Sequence, residues 1–413
     1  MNLQPLSNLD LLPEPDDPNI LTAIDNNAIG YSGKEYGISD QDAKKLRRNF
    51  TPIKKLLWPW GALMFSLFVT FLIISWPIIS PLISSSLPDS EWAFEDTGIR
   101  DMHEKGYYGS GVNVCMVDTG MDMSHPDLSN VKLVGFRDFY ENSHSDVRDI
   151  GTNSHGTLMA GLLVANGTLI GAAPEVSLSI AISLGPTGQS GQESMVSQAI
   201  RWCRITQNAD IISLSLGANP GERMDDSSDT VLAVKEAINE GIFVVAAAGN
   251  TGLDESIYDI STPANVEGVI SVAASNKKGL IWGNSAIGNE IDPYTDYERV
   301  FPNQKPEISA PGVRLLSTYS TEFSESLYAY SSGTSDSTVL VTGALALLLE
   351  LYWDAIAGED NVISYDELMQ VKMALAKSTG SNIQGLDHDL KRGYGPLNVN
   401  LWAQEIKNEF DFN

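Results

Sequence analysis

From Val112 to the C-terminus, short apolar runs alternate with longer amphipathic ones. VNVCMVD, VSLSIAISL, DIISLSL, IFVVAAAG and VISVAAS are apolar almost throughout, which predicts strands buried on both faces. HGTLMAGLLVA, SMVSQAIRWCRI and TVLAVKEAINE lie between them with helical spacing. Strands alternating with helices predict an α/β fold: a doubly wound, mostly parallel sheet with helices on both faces. After SSGTSDS comes a run that is apolar nearly all round. Its 13 uncharged residues, Ser337–Leu349, are too few to cross a bilayer and predict a core helix. No repeat and no change of composition divides residues 89–413, so they read as one globular domain.

A different pattern precedes this domain. The 33 residues between Lys55 and Asp89 carry no charge, and WGALMFSLFVTFLIISW at their centre is nearly all apolar. At about 1.5 Å per residue, the roughly 20 residues from Leu57 to Trp76 cross a hydrocarbon core. A buried helix of a soluble protein fits poorly, because the uncharged run is long and has tryptophans at both ends. A cleavable signal also fits poorly, because 55 residues precede the run and no A-x-A-like site follows it. Residues 56–83 are therefore expected to be a transmembrane anchor in contact with membrane lipid.

Lys44, Lys45, Arg47, Arg48, Lys54 and Lys55 crowd the N-terminal flank, and Asp89, Glu91, Glu95 and Asp96 open the other. This places residues 1–55 in the cytoplasm and residues 89–413 outside a cell membrane crossed once. Residues 1–43 show little periodicity and read as loop or disorder, while Ser39 and Asp42 have capping-box spacing for a short juxtamembrane helix.

The chain of 413 residues is 43% apolar and 19% charged, enough to bury a large core. Residues 1–88 hold 7 Lys+Arg and 8 Asp+Glu, which leaves −26 of the total −27 on the outer part. Such a surface repels nucleic acid and excludes it as a partner. Two cysteines are too few for a disulfide framework. Cys115 lies in a strand-like run and Cys203 in a helical one, which predicts buried free thiols, with a single bridge as the alternative.

Four residues carry candidate chemistry. Asp118 ends an apolar strand before a Thr-Gly turn, where working residues gather in a doubly wound sheet. His155 stands where a polar turn becomes an apolar helix, and it is one of five histidines. Asn250 follows another strand, and its amide can donate to an oxyanion. Ser335 begins the core helix, either as a cap for free N–H groups or as a nucleophile at the positive end of the helix dipole. Neither G-x-G-x-x-G nor a P-loop occurs, which removes nucleotide-dependent chemistry from consideration.

VDTGMDMSHPDL, SHGTLMAG, ISLSLG, AAAGN, ISAPGV, SSGTSDS and RGYGPLNV occur in that order, and together they resemble the successive motifs of subtilisin-like serine proteases. The resemblance runs from about Trp92 to Trp402. The order Asp, His, Ser is the subtilisin order. It implies that Ser335 is the nucleophile, His155 the general base, Asp118 its orienting partner, and Asn250 with the Ser335 N–H the oxyanion donors. It implies that Ser215, Leu216 and Gly217 pair with a substrate backbone and that Ala248 and Gly249 wall the specificity pocket. Polypeptides are the implied substrates, and no cofactor is needed for the chemistry.

The same resemblance exposes departures. The family's Met after the nucleophile and its Pro four residues after it are Asp336 and Val339 here. The Gly before the histidine is Ser154, and the third residue after it is Leu158. Asp127 matches a family calcium ligand and a structural calcium is the associated expectation, yet LLVANGTLIGAAP is shorter than the family's calcium loop. NGT at Asn166–Thr168 is an acceptor sequon. Only the 24 residues Pro88–Gly111 separate the anchor from the first strand, so no outer prodomain is expected and folding and control should differ from the family's. A catalytically silent peptide-binding module of the same fold is the competing expectation, motivated by Asp336.

Overall fold

The structure, a computed structural model, describes residues 51–84, 90–142, 146–188, 192–218, 228–254, 256–257, 259–322, 324–379 and 388–412, with side chains in the first helix described over 60–76. The expected cytoplasmic segment, with its Ser39–Asp42 capping box, lies outside these residues except at 51–55. The chain divides into two units, Met1–Ser86 and Leu87–Asn413.

The first unit contributes helix α1, Thr51–Ser84, of 34 residues. At about 1.5 Å per residue it exceeds the thickness of a hydrocarbon core. Between Trp60 and Trp76 its apolar side chains face outward: Phe65 is 69% exposed and Ile74 70%. The Ser75 hydroxyl donates to the Phe71 carbonyl at 2.6 Å, so this polar group is satisfied within the helix.

The second unit begins with two short helices, α2 (Glu91–Asp96) and α3 (Ile99–Glu104), and continues into the sheet. In chain order come β1 (Asn113–Asp118), β2 (Leu133–Asp138), α4 (His155–Val164), β3 (Ser177–Ile182), α5 (Glu193–Ile205), β4 (Ile211–Leu214), α6 (Asp229–Asn239), β5 (Phe243–Ala247), β6 (Ile270–Ser275) and β7 (Ile308–Pro311). A hairpin, β8 (Val313–Thr318) with β9 (Tyr328–Ser332), precedes α7 (Thr334–Ala357), then α8 (Tyr365–Lys377) and α9 (Val399–Glu409).

The sheet has the order β2-β3-β1-β4-β5-β6-β7, with every pairing parallel. Strands β3 to β6 are buried along their whole length, because helices cover both faces. Helix α5 shows how the cover is made: Val196, Ala199, Ile200 and Cys203 face inward at helical spacing. From β1 the chain moves one way to β2 and β3, then crosses to β4 and beyond. That reversal opens a crevice at the carboxyl ends of the strands.

Helix α7 is the expected core helix. It is also long and apolar enough to cross a membrane, but Thr334–Leu349 are all buried within the second unit. The expectation for the cysteines is corrected. Packing of α5 on the sheet brings the Cα atoms of Cys115 and Cys203 to 5.7 Å, within bonding range, and the two form a disulfide. Sequence reading passed over β2, β7, the β8–β9 hairpin, α8 and α9.

Candidate active site

Two glycines bring the ends of β1 and α4 together. A Cβ on Gly156 would lie 2.1 Å from the Gly120 carbonyl oxygen, so only a bare backbone allows the approach. His155 opens α4 beside Asp118, and their Nδ1 and Oδ1 atoms are 2.7 Å apart. Asp118 Oδ1 also accepts the Thr119 N–H at 2.7 Å. The carboxylate, fully buried, thus holds the Nδ1 proton, so that in the neutral ring Nε2 is the acceptor, on a side chain that is 23% exposed.

Asp149, which sequence reading missed, ties this turn down. It accepts hydrogen bonds from Thr119 Oγ1, the Gly151 N–H, and both the N–H and the hydroxyl of Thr157. Ser154, in place of the family's glycine, takes a left-handed backbone with φ of 55° and buries a hydroxyl without a partner among the described residues. The strain explains why glycine suits the position.

Ser335 does not cap α7. The cap position is Gly333, and Ser335 lies within the first turn, where backbone N–H groups lack intrahelical partners. Its hydroxyl donates to the Ser215 carbonyl at 3.2 Å. Such contacts often tighten onto their catalytic partner only with substrate in place.

Asn250 follows β5, and its Oδ1 accepts from both the N–H and the hydroxyl of Thr334, each at 3.0 Å. That network assigns the oxygen and leaves the amide nitrogen as a donor. The Thr334 hydroxyl in turn accepts the Gly249 N–H at 3.1 Å. No local signal pointed to Thr334, because its role depends on β5 and α7 meeting.

His155, Asn250 and Ser335 line one cleft of about 280 Å³, together with Leu184, Gly188, Ser215, Leu216, Gly217, Ala247, Gly249, Thr251, Ser261 and Thr334. The expected Ser215, Leu216, Gly217 and Gly249 are all present. Ala247 lines the cleft rather than the expected Ala248: side chains alternate across the chain, and Ala248 is fully buried with its N–H on Val272 and its carbonyl on Ser261. Gly249 has φ of 109°, and a Cβ there would lie 2.1 Å from Ser261 Oγ, so the bare backbone leaves room for Ser261 at the wall.

The electrostatics are set by carboxyl groups. Burial disfavours the imidazolium of His155, but Asp118, and behind it Asp336 and Asp149, overcome this and push the ring up to about 9. Burial pushes the Asp336 carboxyl up to about 7, against the Ser331 hydroxyl and the charge on His155. A carboxylate, an imidazole and a hydroxyl at one cleft, with amide donors beside them, can move a proton off the hydroxyl and hold an oxyanion.

Asp127, the expected calcium ligand, is engaged by protein donors. Its Oδ1 accepts the Thr168 N–H at 2.8 Å, and its Oδ2 accepts the Leu169 N–H at 2.9 Å and the Tyr328 hydroxyl at 3.0 Å. These donors take three of the roughly four lone-pair sites of the carboxylate, so a hard cation would compete with them. Among the described residues no group of three or more His, Cys, Asp or Glu is placed to hold a metal.

Residues 109–395 match the subtilase family. The chain is 35% identical over 253 residues to the major intracellular serine protease of Bacillus subtilis, covering 60% of this chain and 71% of that protein. It is 36% identical over 275 residues to a thermostable alkaline protease of Halalkalibacterium halodurans, covering 65% and 64%. It is 37% identical over 306 residues to subtilisin DY of Bacillus licheniformis, covering 73% and 93%.

Proposed function

The chain belongs to the subtilase family of serine-type endopeptidases, and on that premise we propose that it hydrolyses peptide bonds through Asp118, His155 and Ser335, with Asn250 completing an oxyanion site. The observation that carries this is the Asp118–His155 contact at 2.7 Å on the cleft that Ser335 and the Asn250 amide also line. Ser335 Oγ attacks the scissile carbonyl as its proton passes to His155 Nε2. The Asn250 amide and the Ser335 N–H hold the resulting oxyanion. His155 then returns the proton to the leaving amine, and water repeats the cycle on the acyl-enzyme. Asp118 keeps the imidazole in the required tautomer throughout.

Ser215–Gly217 offer main-chain groups to an extended substrate, which supports affinity with little demand on its side chains. Apart from His155, no ionisable side chain among the described residues lines the cleft, and this favours an uncharged substrate residue before the scissile bond. Fluorophosphonate labelling of the detergent-solubilised full chain tests the chemistry. Labelling of wild type, lost in Ser335→Ala and His155→Ala, is expected; equal labelling of Ser335→Ala would refute the assignment.

The exposed apolar face of α1 and the basic flank before it support a single-pass anchor at residues 56–83, with the catalytic domain outside the cell membrane. Substrates are then extracellular or membrane-proximal polypeptides. Retention in the membrane pellet after alkaline extraction, with the domain cut by external protease on intact cells, is the expected result; release into the supernatant would refute anchoring.

A second reading, the silent peptide-binding module, draws on the buried Asp336 carboxyl beside Ser335. A folded wild type that binds peptides but never labels would favour it.

A further inference from the structure

Asp336 follows Ser335 in the first turn of α7 and is 1% exposed. Its Oδ2 accepts the Ser331 hydroxyl at 3.0 Å. Its Oδ1 is buried and has no hydrogen-bond partner among the described residues. A half-satisfied buried carboxyl costs stability, so a position that served only to fill space would be better occupied by an apolar side chain.

Three carboxyls from three parts of the fold gather at this end of the cleft: Asp118 at the end of β1 holds the His155 ring at 2.7 Å, Asp149 in the loop before α4 accepts the Thr157 N–H, and Asp336 follows Ser335, its Oδ2 and the Asn250 amide nitrogen lying 3.5 and 3.4 Å from where a Cβ on Gly333 would stand. Asp118 orients the ring directly. Asp149 is engaged by hydrogen bonds from Thr119, Gly151 and Thr157. Asp336 has an oxygen without such partners, and the groups that favour its ionised form are the Ser331 hydroxyl, the charge on His155 and its own backbone N–H. It also sits at the start of a long helix, whose partial positive charge favours the ionised form.

We propose that Asp336 is a positioning residue that acts through His155: its carboxylate stabilises the imidazolium, so that the general base is freed only in alkaline medium. The proposal rests on the proteolytic reading of Ser335 and His155. When Oγ bonds to the carbonyl carbon, the carbonyl π pair moves to oxygen and the Oγ proton must go to Nε2. A proton already held on Nε2 blocks that transfer. The same carboxylate opposes the developing oxyanion, so activity near neutral pH is restrained twice. The shifts already described for the two groups agree with this: between about 7 and about 9 both carry charge and each favours the charged form of the other.

The test compares kcat/KM for a peptide amide from neutral to alkaline pH in full-length wild type and Asp336→Asn, both in detergent, with active sites counted by fluorophosphonate. Asparagine keeps the side chain's shape and an acceptor for Ser331. The acid limb is expected to move down by about one pH unit, raising kcat/KM near neutral pH about tenfold. A merely structural role would change stability or the number of labelled sites and leave the limb where it is, and an unmoved limb overturns the proposal.

Proton NMR titration of the histidines in Ser335→Ala, with and without Asp336→Asn, measures His155 without turnover. The same downward shift is expected, and identical titrations overturn the proposal. Should Asp336→Asn fail to fold, Asp336→Met carries the same expectation. A wild type that neither labels nor cleaves at any pH defeats the proteolytic reading instead, while the titration still decides what Asp336 does to His155.

Discussion

Single side chains do separable work in this cleft, and Asn250 is the clearest case. Thr334 holds its oxygen from two directions, so its amide is a donor fixed in advance of any substrate. Asn250→Ala should lower kcat by about 100- to 1000-fold, the established range for losing an Asn oxyanion donor in enzymes of this family, with KM little changed. Steady-state kinetics on one peptide substrate checks this.

As the proposed general base, His155 should set the pH dependence. With the ring pushed up to about 9 by its carboxylate neighbours, the unprotonated base is scarce at neutral pH. Below that value kcat/KM should rise about tenfold per pH unit and level off above it, because the productive form is the deprotonated one. A plateau already reached at neutral pH would contradict the assignment.

Between elements, the junction of β1 and α4 shows how a site is held under strain. Asp149 stitches the turn after β1 to the first turn of α4, and the Gly120–Gly156 contact sets their separation. Ser154 enters that junction with a left-handed backbone and an unpartnered hydroxyl. Ser154→Gly should therefore stabilise the fold by about 1 kcal/mol, since the relief of left-handed strain exceeds the extra entropy glycine brings to the unfolded chain. Denaturant midpoints at constant slope measure it. A lower midpoint would mean that the serine makes a contribution its contacts do not reveal.

On the scale of the whole domain, a buried ionic knot joins the far end of the sheet to α8. Glu307 accepts from Lys305 and Lys372, each at 2.7 Å, and all three side chains are at most 1% exposed. Burial holds the Lys305 amine down to about 7 despite the carboxylate beside it. Glu307→Gln leaves two buried amines without a counter-charge and should cost about 3–5 kcal/mol of unfolding free energy. Equilibrium unfolding compared with wild type provides the number. A loss no larger than that of an exposed pair would mean the lysines are already neutral and indifferent to their partner.

Much of this protein follows from its sequence alone. Unbroken apolar strands between amphipathic helices require a parallel sheet covered on both faces, because only burial on both sides removes the need for alternation. Asp118, His155, Asn250 and Ser335 stood out as candidates because each sits near a strand end or a helix start, inside a string that resembles a motif of the subtilisin-like proteases. What depends on distant segments meeting was not legible. Thr334, Asp149 and Ser261 have ordinary local sequences and acquire their roles from partners on other segments, as Thr334 does from Asn250 and Asp149 from Thr119. The choice of Ala247 over Ala248 turns on which face of one chain segment meets the cleft, and the Cys115–Cys203 bond turns on how α5 docks against β1. Local patterns determine which elements form; only packing decides which side chains of different elements come within bonding distance, because that depends on the register and docking of segments far apart in the chain.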